Sequence, residues 1–230
     1  MDVMMHQATG NGMTSQRTRL RMIERLREQG ISNPLVLDAM SQIARHLFVE
    51  PVLQSRAYDD TPLPIGQAQT ISSPYIVALT CELALQGTGS GQKLGKVLEI
   101  GCGCGYQAAV LSRLARSVFS LERIAKLVGM ARGNLQSMRI GNVTIRNIDG
   151  THGYPREAPY DAIVVAAAMP MISAELKAQL KPGGRLIAPV GMGEQQQLVL
   201  VEAGEVDGEL RYTERVLEAV KFVPLLSGVS

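Results

Sequence analysis

VLEIGCGCGYQAAVL, residues 97–111, sets a short apolar run, one acid, alternating glycines and a helix-forming segment end to end. A short apolar run bounded by glycine reads as a buried strand, and the YQAAVL that follows favours a helix. Gly101, Gly103 and Gly105 remove side chains where the chain turns at the carboxyl end of the strand, which lets a ligand press against bare backbone. The dinucleotide fingerprint needs G-x-G-x-x-G, and Tyr106 stands where its last glycine belongs, so a nicotinamide cofactor is disfavoured. Glu99, two residues before Gly101, would repel a pyrophosphate and attract a ligand carrying a cationic amino group.

Outward from this loop, strands and helices alternate. Strands are expected at 96–100, 117–121, 142–147, 160–166 and 185–190, with helices at 106–115, 124–138 and 172–180. This pattern predicts a Rossmann-like α/β fold: a doubly wound, mostly parallel sheet with helices on both faces. Segments 197–202 and 209–215 flank a Gly/Asp turn and predict antiparallel C-terminal strands, with a last strand over 219–223.

Toward the N-terminus a helical extension is expected. Residues 15–29 place Leu20, Ile23 and Leu26 between arginines as an amphipathic helix stopped by Gly30. Asn33-Pro34 opens a second helix with Leu37, Met40, Ile43 and Ala44 on one face. Arg17, Arg19, Arg21, Arg25 and Arg27 read as a solvated face. YDDTPLPIGQAQTISS, residues 58–73, has no hydrophobic period and reads as a long loop of the kind that carries function. It ends at a helix capped by Ser72 or Ser73, with Pro74 in its first position and Ile76, Leu79 and Leu83 buried. Residues 1–13 lack periodicity and are expected to form a disordered tail, leaving 14–230 as one domain: helices and loop over 14–74, and an α/β core with its C-terminal hairpin over 75–230.

Glu122 follows the expected strand at 117–121, where an acid in a nucleotide-binding α/β unit accepts from both ribose hydroxyls. Asp149-Gly150 follows the next strand, where an acid can accept from an adenine amino group. Three acids around a glycine loop, with no phosphate-binding lysine, fit adenosine joined to an amino acid through a sulfonium. That ligand is S-adenosyl-L-methionine, and its demethylated product is S-adenosyl-L-homocysteine. The competing reading makes these acids loop caps or solvated charges.

Residues 97–110 resemble the first motif of class I methyltransferases, and the chain from about Arg45 to Gly228 resembles the protein-L-isoaspartate O-methyltransferase family. The resemblance rests on LPIG (63–66), QTIS (69–72), EIGCGCGYQ (99–107), Glu122-Arg123, Asp149-Gly150, PYDAI (159–163), QLKPGGRL (179–186), PVG (189–191) and FVPL (222–225). It implies methyl transfer to the free carboxylate of L-isoaspartyl residues in aged proteins and peptides, with Ser72 as the active-site residue. The implied cofactor contacts are Gln69, Thr70, Ile71, Glu99, Gly101, Cys102, Gly103, Gly105, Glu122, Arg123, Asp149 and Gly150. Ile65, Ser72, Val223, Pro224 and Leu225 are the implied substrate contacts, the last three as a strand whose proline leaves backbone free to grip a peptide. The chain departs from the family pattern at Cys102, Cys104, Ile148 and Ala166. Thiols on the glycine loop would expose it to oxidation.

Other classes fit less well. A base-modifying methyltransferase would carry an Asn or Asp, two prolines and an aromatic where this chain has Ala167-Ala168-Met169-Pro170. A serine hydrolase needs G-x-S-x-G, which is absent from the sequence. A non-catalytic adenosine-binding module would show the same pocket but has no need of Ser72 and its loop, and a methyltransferase of another small substrate also stays open. A net charge of +2, 4% aromatics and no Trp argue against a nucleic-acid partner. Cys81, Cys102 and Cys104 are an odd set, and Cys102-x-Cys104 has the wrong spacing for zinc, so neither a disulfide nor a metal is expected. Without an apolar run long enough to span a bilayer or a secretory leader, the chain is expected to be a cytoplasmic monomer that engages no membrane.

Overall fold

The computed structural model describes residues 12–88 and 91–230. The expected tail therefore lies outside the described residues except for Gly12 and Met13, which enter a 3₁₀ turn over Gly12–Thr14. Two helices follow, α1 (Gln16–Glu28) and α2 (Pro34–Gln42), capped by the side chains of Ser15 and Asn33. Met22, Ile23 and Leu26 form the buried face of α1, whereas Leu20 is 48% exposed. Arg19 is the arginine that departs from the solvated face: it is buried, donating to the Tyr58 hydroxyl (3.2 Å) and the Ser41 carbonyl (3.1 Å).

The stretch expected to be an unstructured loop contains a two-stranded antiparallel ribbon, β1 (Leu63–Pro64) and β2 (Thr70–Ile71). Gly66, Gln67 and Ala68 all take positive φ (82°, 53° and 55°), which folds the chain back within a few residues. Only the glycine announces such a turn, because Gln and Ala rarely adopt this conformation. Helix α3 (Pro74–Leu85) comes next, and its N-cap is Ser73, whose hydroxyl accepts from the Ile76 N–H (3.4 Å). Its buried side is Val77, Ala78, Cys81, Leu83, Ala84 and Leu85, while Ile76 and Leu79 are only partly covered.

The core is the sheet β3 (Leu94–Ile100), β4 (Ala115–Glu122), β5 (Val143–Asn147), β6 (Tyr160–Val165), β7 (Leu180–Met192), β8 (Gln195–Val206) and β9 (Glu209–Val220), in the order β5-β4-β3-β6-β7-β8-β9. β5 to β7 pair in parallel, and β8 and β9 are antiparallel, giving the Rossmann-like arrangement with a C-terminal hairpin. Helices α4 (Tyr106–Leu114), α5 (Ala125–Ser137) and α6 (Ala174–Lys177) connect the parallel strands. α6 is a single turn where a longer helix was expected, because Leu180 already pairs with Tyr160 at the start of β7.

Adjacent strand residues feed opposite faces. Val97, Ala162, Val164 and Ile187 join a cluster with α1–α5, and Leu98, Ile163, Val165 and Leu186 join the other. The strands expected over 209–215 and 219–223 are one continuous strand, β9, which ends at Val220; beyond it Pro224 forms one parallel bridge with Ala168. Strand order reverses between β4 and β6 on either side of β3, and ligands of open α/β sheets bind at the carboxyl ends of strands at such a switch point.

Candidate active site

At that switch point the chain from Ile100 into α4 makes a tight loop. The N–H groups of Gly101 and Cys102 both donate to the Leu121 carbonyl (2.9 and 3.0 Å), and Gly105 N–H donates to the Cys102 carbonyl (2.9 Å). Gly101 and Gly103 have φ of 92° and 55°, and a Cβ on Gly103 would sit 3.1 Å from Ile65 Cδ1. Gly105, at φ 87°, caps α4, and a Cβ there would come within 3.1 Å of the Ala131 side chain on α5. The first two glycines leave room above the strand; the third lets two helices close together.

A cavity opens over this loop. Residues 69–72, 100–104, 106–107, 121–124, 148, 150, 166–167 and 223–226 line it. Most of the expected cofactor contacts thus converge, and three do not reach the wall. Gly105 serves helix packing. Glu99 lies beneath the loop, 0% exposed, one oxygen bonded to the Ser120 hydroxyl and Oε1 without a partner among the described residues. Burial pushes its carboxyl up to about 8, against the pull of the Ser120 hydrogen bond, and the Glu122 charge adds to the rise. Asp149 gives its carboxylate to the Thr151 N–H and hydroxyl (2.9 and 2.7 Å) and to the Gly228 N–H (2.7 Å), while its neighbours Ile148 and Gly150 face the cavity.

Glu122 is the acid that lines the cavity. Its Oε2 accepts from the Gly103 N–H and its Oε1 from the Ile124 N–H, both at 2.9 Å, so β4 and the glycine loop are tied through one carboxylate whose remaining lone pairs stay open. Arg123 also lines it and donates to the Ser230 hydroxyl (3.2 Å). Leu226 also lines this side, and Ser230 is anchored beside Arg123: its N–H donates to the Arg123 carbonyl and its carbonyl accepts from the Ala125 N–H. No sequence signal marked this wall. Cys102 and Cys104 line the cavity but are buried, and burial raises both thiols, that of Cys104 to about 11. Neutral buried thiols are poor nucleophiles, which runs against the expected sensitivity to oxidation.

Ser72 stands at a junction. Thr70, Ser72, Ala166 and Val223 also line a second cavity, bounded by Tyr75 on α3 and by residues 218–222 at the end of β9. Capping falls to Ser73, so the Ser72 hydroxyl has no capping duty. Ile65, an expected substrate contact, is instead buried against Gly103 and backs the glycine loop. Val223 and Leu225 border the first cavity, but part of their backbone is already used: Ala168 N–H donates to the Val223 carbonyl (2.8 Å) and Leu225 N–H to the Ala168 carbonyl (2.7 Å). The sequence reading passed over Gln107 and Leu226, both of which line the cavity; Gln107 was legible as a polar residue in the first turn after the third glycine.

The donor set fits the inferred cofactor in the one respect most demanding of burial: an unpaired buried carboxylate oxygen under a glycine loop calls for a cation. Comparison with known proteins bears on the same question. Residues 17–230 match the family model described as protein-L-isoaspartate(D-aspartate) O-methyltransferase. A protein-L-isoaspartate O-methyltransferase of Dechloromonas aromatica is 51% identical over 219 residues, 95% of this chain and 98% of its own length. One from an Azoarcus species is 55% identical over 212 residues, covering 92% and 94%. A solved protein-L-isoaspartate O-methyltransferase superposes with a TM-score of 0.74 at 29% identity, over 90% of this chain and 65% of that one. A Plasmodium falciparum structure in complex with S-adenosyl-L-homocysteine shares the fold, with a TM-score of 0.75 at 24% identity. With a match that spans nearly the whole chain, the chain belongs to the protein-L-isoaspartate(D-aspartate) O-methyltransferase family.

Proposed function

We propose that residues 14–230 work as one domain that methylates the free carboxylate of L-isoaspartyl residues, initiating repair of aged proteins and peptides. The observation that carries this reading is the position of Ser72, at the junction between the cavity over the glycine loop and the cavity beside β9. When bound, S-adenosyl-L-methionine supplies an electrophilic methyl on a sulfonium. Glu122 would accept from ribose hydroxyls, Glu99 would favour the amino group through its charge from beneath the glycine loop, and residues 69–71 with that loop would form the walls.

The substrate carboxylate has an ordinary pKa near 4, is ionised at neutral pH, and needs no general base. The protein's task is to orient it and keep water out. Ser72 would donate a hydrogen bond to that carboxylate, and residues 223–225, fixed to Ala168, would set the distance between peptide main chain and reacting oxygen. Moving one methylene from main chain to side chain shifts the carboxylate by more than an ångström, a displacement that costs about a hundredfold. Radiolabelled methyl transfer to peptides differing only in an isoaspartyl or aspartyl linkage should favour the former by about that factor; equal rates would overturn the assignment. We read the chain as a monomer acting on polypeptides in the cytoplasm, its low net charge and 4% aromatics offering little to a nucleic acid. No helix among the described residues is long and apolar enough to cross a membrane.

A further inference from the structure

Four side chains of the described residues hold buried polar atoms without a hydrogen-bond partner by geometry; two of these atoms, Glu99 Oε1 and Gln107 Nε2, belong to the glycine loop and the helix it opens, while the Arg45 guanidinium rests on the Tyr106 ring next to them. Such atoms are rare because each carries its full desolvation cost, so a cluster of them implies a missing partner. Their chemistry is complementary, one acceptor against several donors. Glu99 asks for a cation. Gln107, 8% exposed in the first turn of α4, lines the cavity and offers an N–H. Arg45 is fully buried; its Nε donates to the Ala57 carbonyl (2.8 Å), and its guanidinium carbon lies 4.8 Å from the centre of the Tyr106 ring, the residue beside Gln107 that also lines the cavity. The only cationic side chain among the described lining residues is Arg123, and it donates to the Ser230 hydroxyl.

We infer that Gln107 Nε2 binds the carboxylate of the cofactor's amino-acid end, and that Arg45, beneath Tyr106, is a positioning residue whose positive charge favours that carboxylate. An amino acid carries its ammonium and carboxylate on one carbon, so an ammonium drawn to the loop by the Glu99 charge beneath it leaves the carboxylate close by, on the wall that Gln107 lines. The N-terminal N–H groups of α4 add to the positive potential there. The inference rests on the S-adenosyl reading above and extends it to residues that reading does not use.

The test is calorimetric binding of two probes, S-adenosyl-L-homocysteine and 5′-methylthioadenosine, which share the adenosine thioether and differ in the amino-acid end. Gln107→Leu should weaken the first about ten- to hundredfold, the range for a hydrogen bond to a charged group, and leave the second within about twofold. Gln107→Glu, close in shape, should weaken the first further by repulsion. Arg45→Met should lower the first about tenfold with the second unchanged, because it removes the charge and keeps much of the volume. A merely structural role for either residue would move both probes together. Equal loss for both probes, or no loss for either, in the Gln107 variants overturns the inference and leaves the cofactor reading intact. A wild-type protein that binds neither probe overturns the cofactor reading itself.

Discussion

The two cavities that meet at Ser72 are built differently. The one over the glycine loop has a buried acid with fixed partners on its wall, Glu122 holding two backbone N–H groups, and a second acid, Glu99, dry beneath the loop. The one beside β9 is lined mostly by partly or fully exposed residues such as Tyr75, whose hydroxyl donates to Glu218 (3.1 Å). A fixed small molecule can be read by buried charges in set positions. A carboxylate presented by many different polypeptides must be read through what they all share, the main chain, so side-chain detail on that side is free to vary.

Ser72 lies on the boundary, and its replacement should break the comparison most severely. Ser72→Ala is expected to lower methyl transfer by about one to three orders of magnitude with cofactor affinity nearly unchanged. Ser73→Ala is its control, losing the cap of α3 and about 1 kcal/mol of stability while turnover holds. If the two variants exchange phenotypes in paired melting and rate measurements, the division of labour drawn here is wrong.

A smaller effect should come from the cofactor side alone. Glu122→Ala removes an acceptor for ribose hydroxyls and frees the Gly103 N–H, and should weaken S-adenosyl-L-homocysteine by about 1 to 3 kcal/mol. Calorimetry that finds unchanged affinity would remove Glu122 from the binding site.

The subtlest prediction is a proton. Glu99 in the fold titrates near 8, above its ordinary value of 4.5, chiefly because it is buried. A carboxyl raised on folding contributes stability that is complete below the unfolded pKa and fades as pH rises through the folded one, so the free protein should lose stability between about pH 4.5 and 8. A ligand with an ammonium group favours the charged carboxylate and should expel up to about one proton near neutral pH. Calorimetry in buffers of different ionisation enthalpy reads that release directly, and Glu99→Gln should abolish both effects. Release that persists in Glu99→Gln would locate the titrating group elsewhere.

The legible part of this molecule is the part where local chemistry dictates position. Alternating strands and helices gave the parallel sheet, Asn33-Pro34 and Pro74 gave helix starts, and the glycine loop with Glu122 marked where the cavity opens at the carboxyl ends of β3 and β4. α6 was misjudged because its apolar spacing fits a helix while the pairing of Leu180 with Tyr160 claims its end for β7. The β1–β2 ribbon was missed because Gln67 and Ala68 carry no sign of the left-handed backbone they adopt.

From its residues alone, then, this chain determined the sheet, the glycine loop and the types of group around it, because backbone periodicity and turn chemistry act over a few residues. Only the tertiary structure decided which serine caps α3, that Ile65 backs Gly103, that Asp149 is spent on Gly228, and that Arg45 comes to rest under Tyr106. All but the first, a local cap, join segments far apart in sequence, and they are decided by how little room a packed core leaves for a void or for a polar atom without a partner.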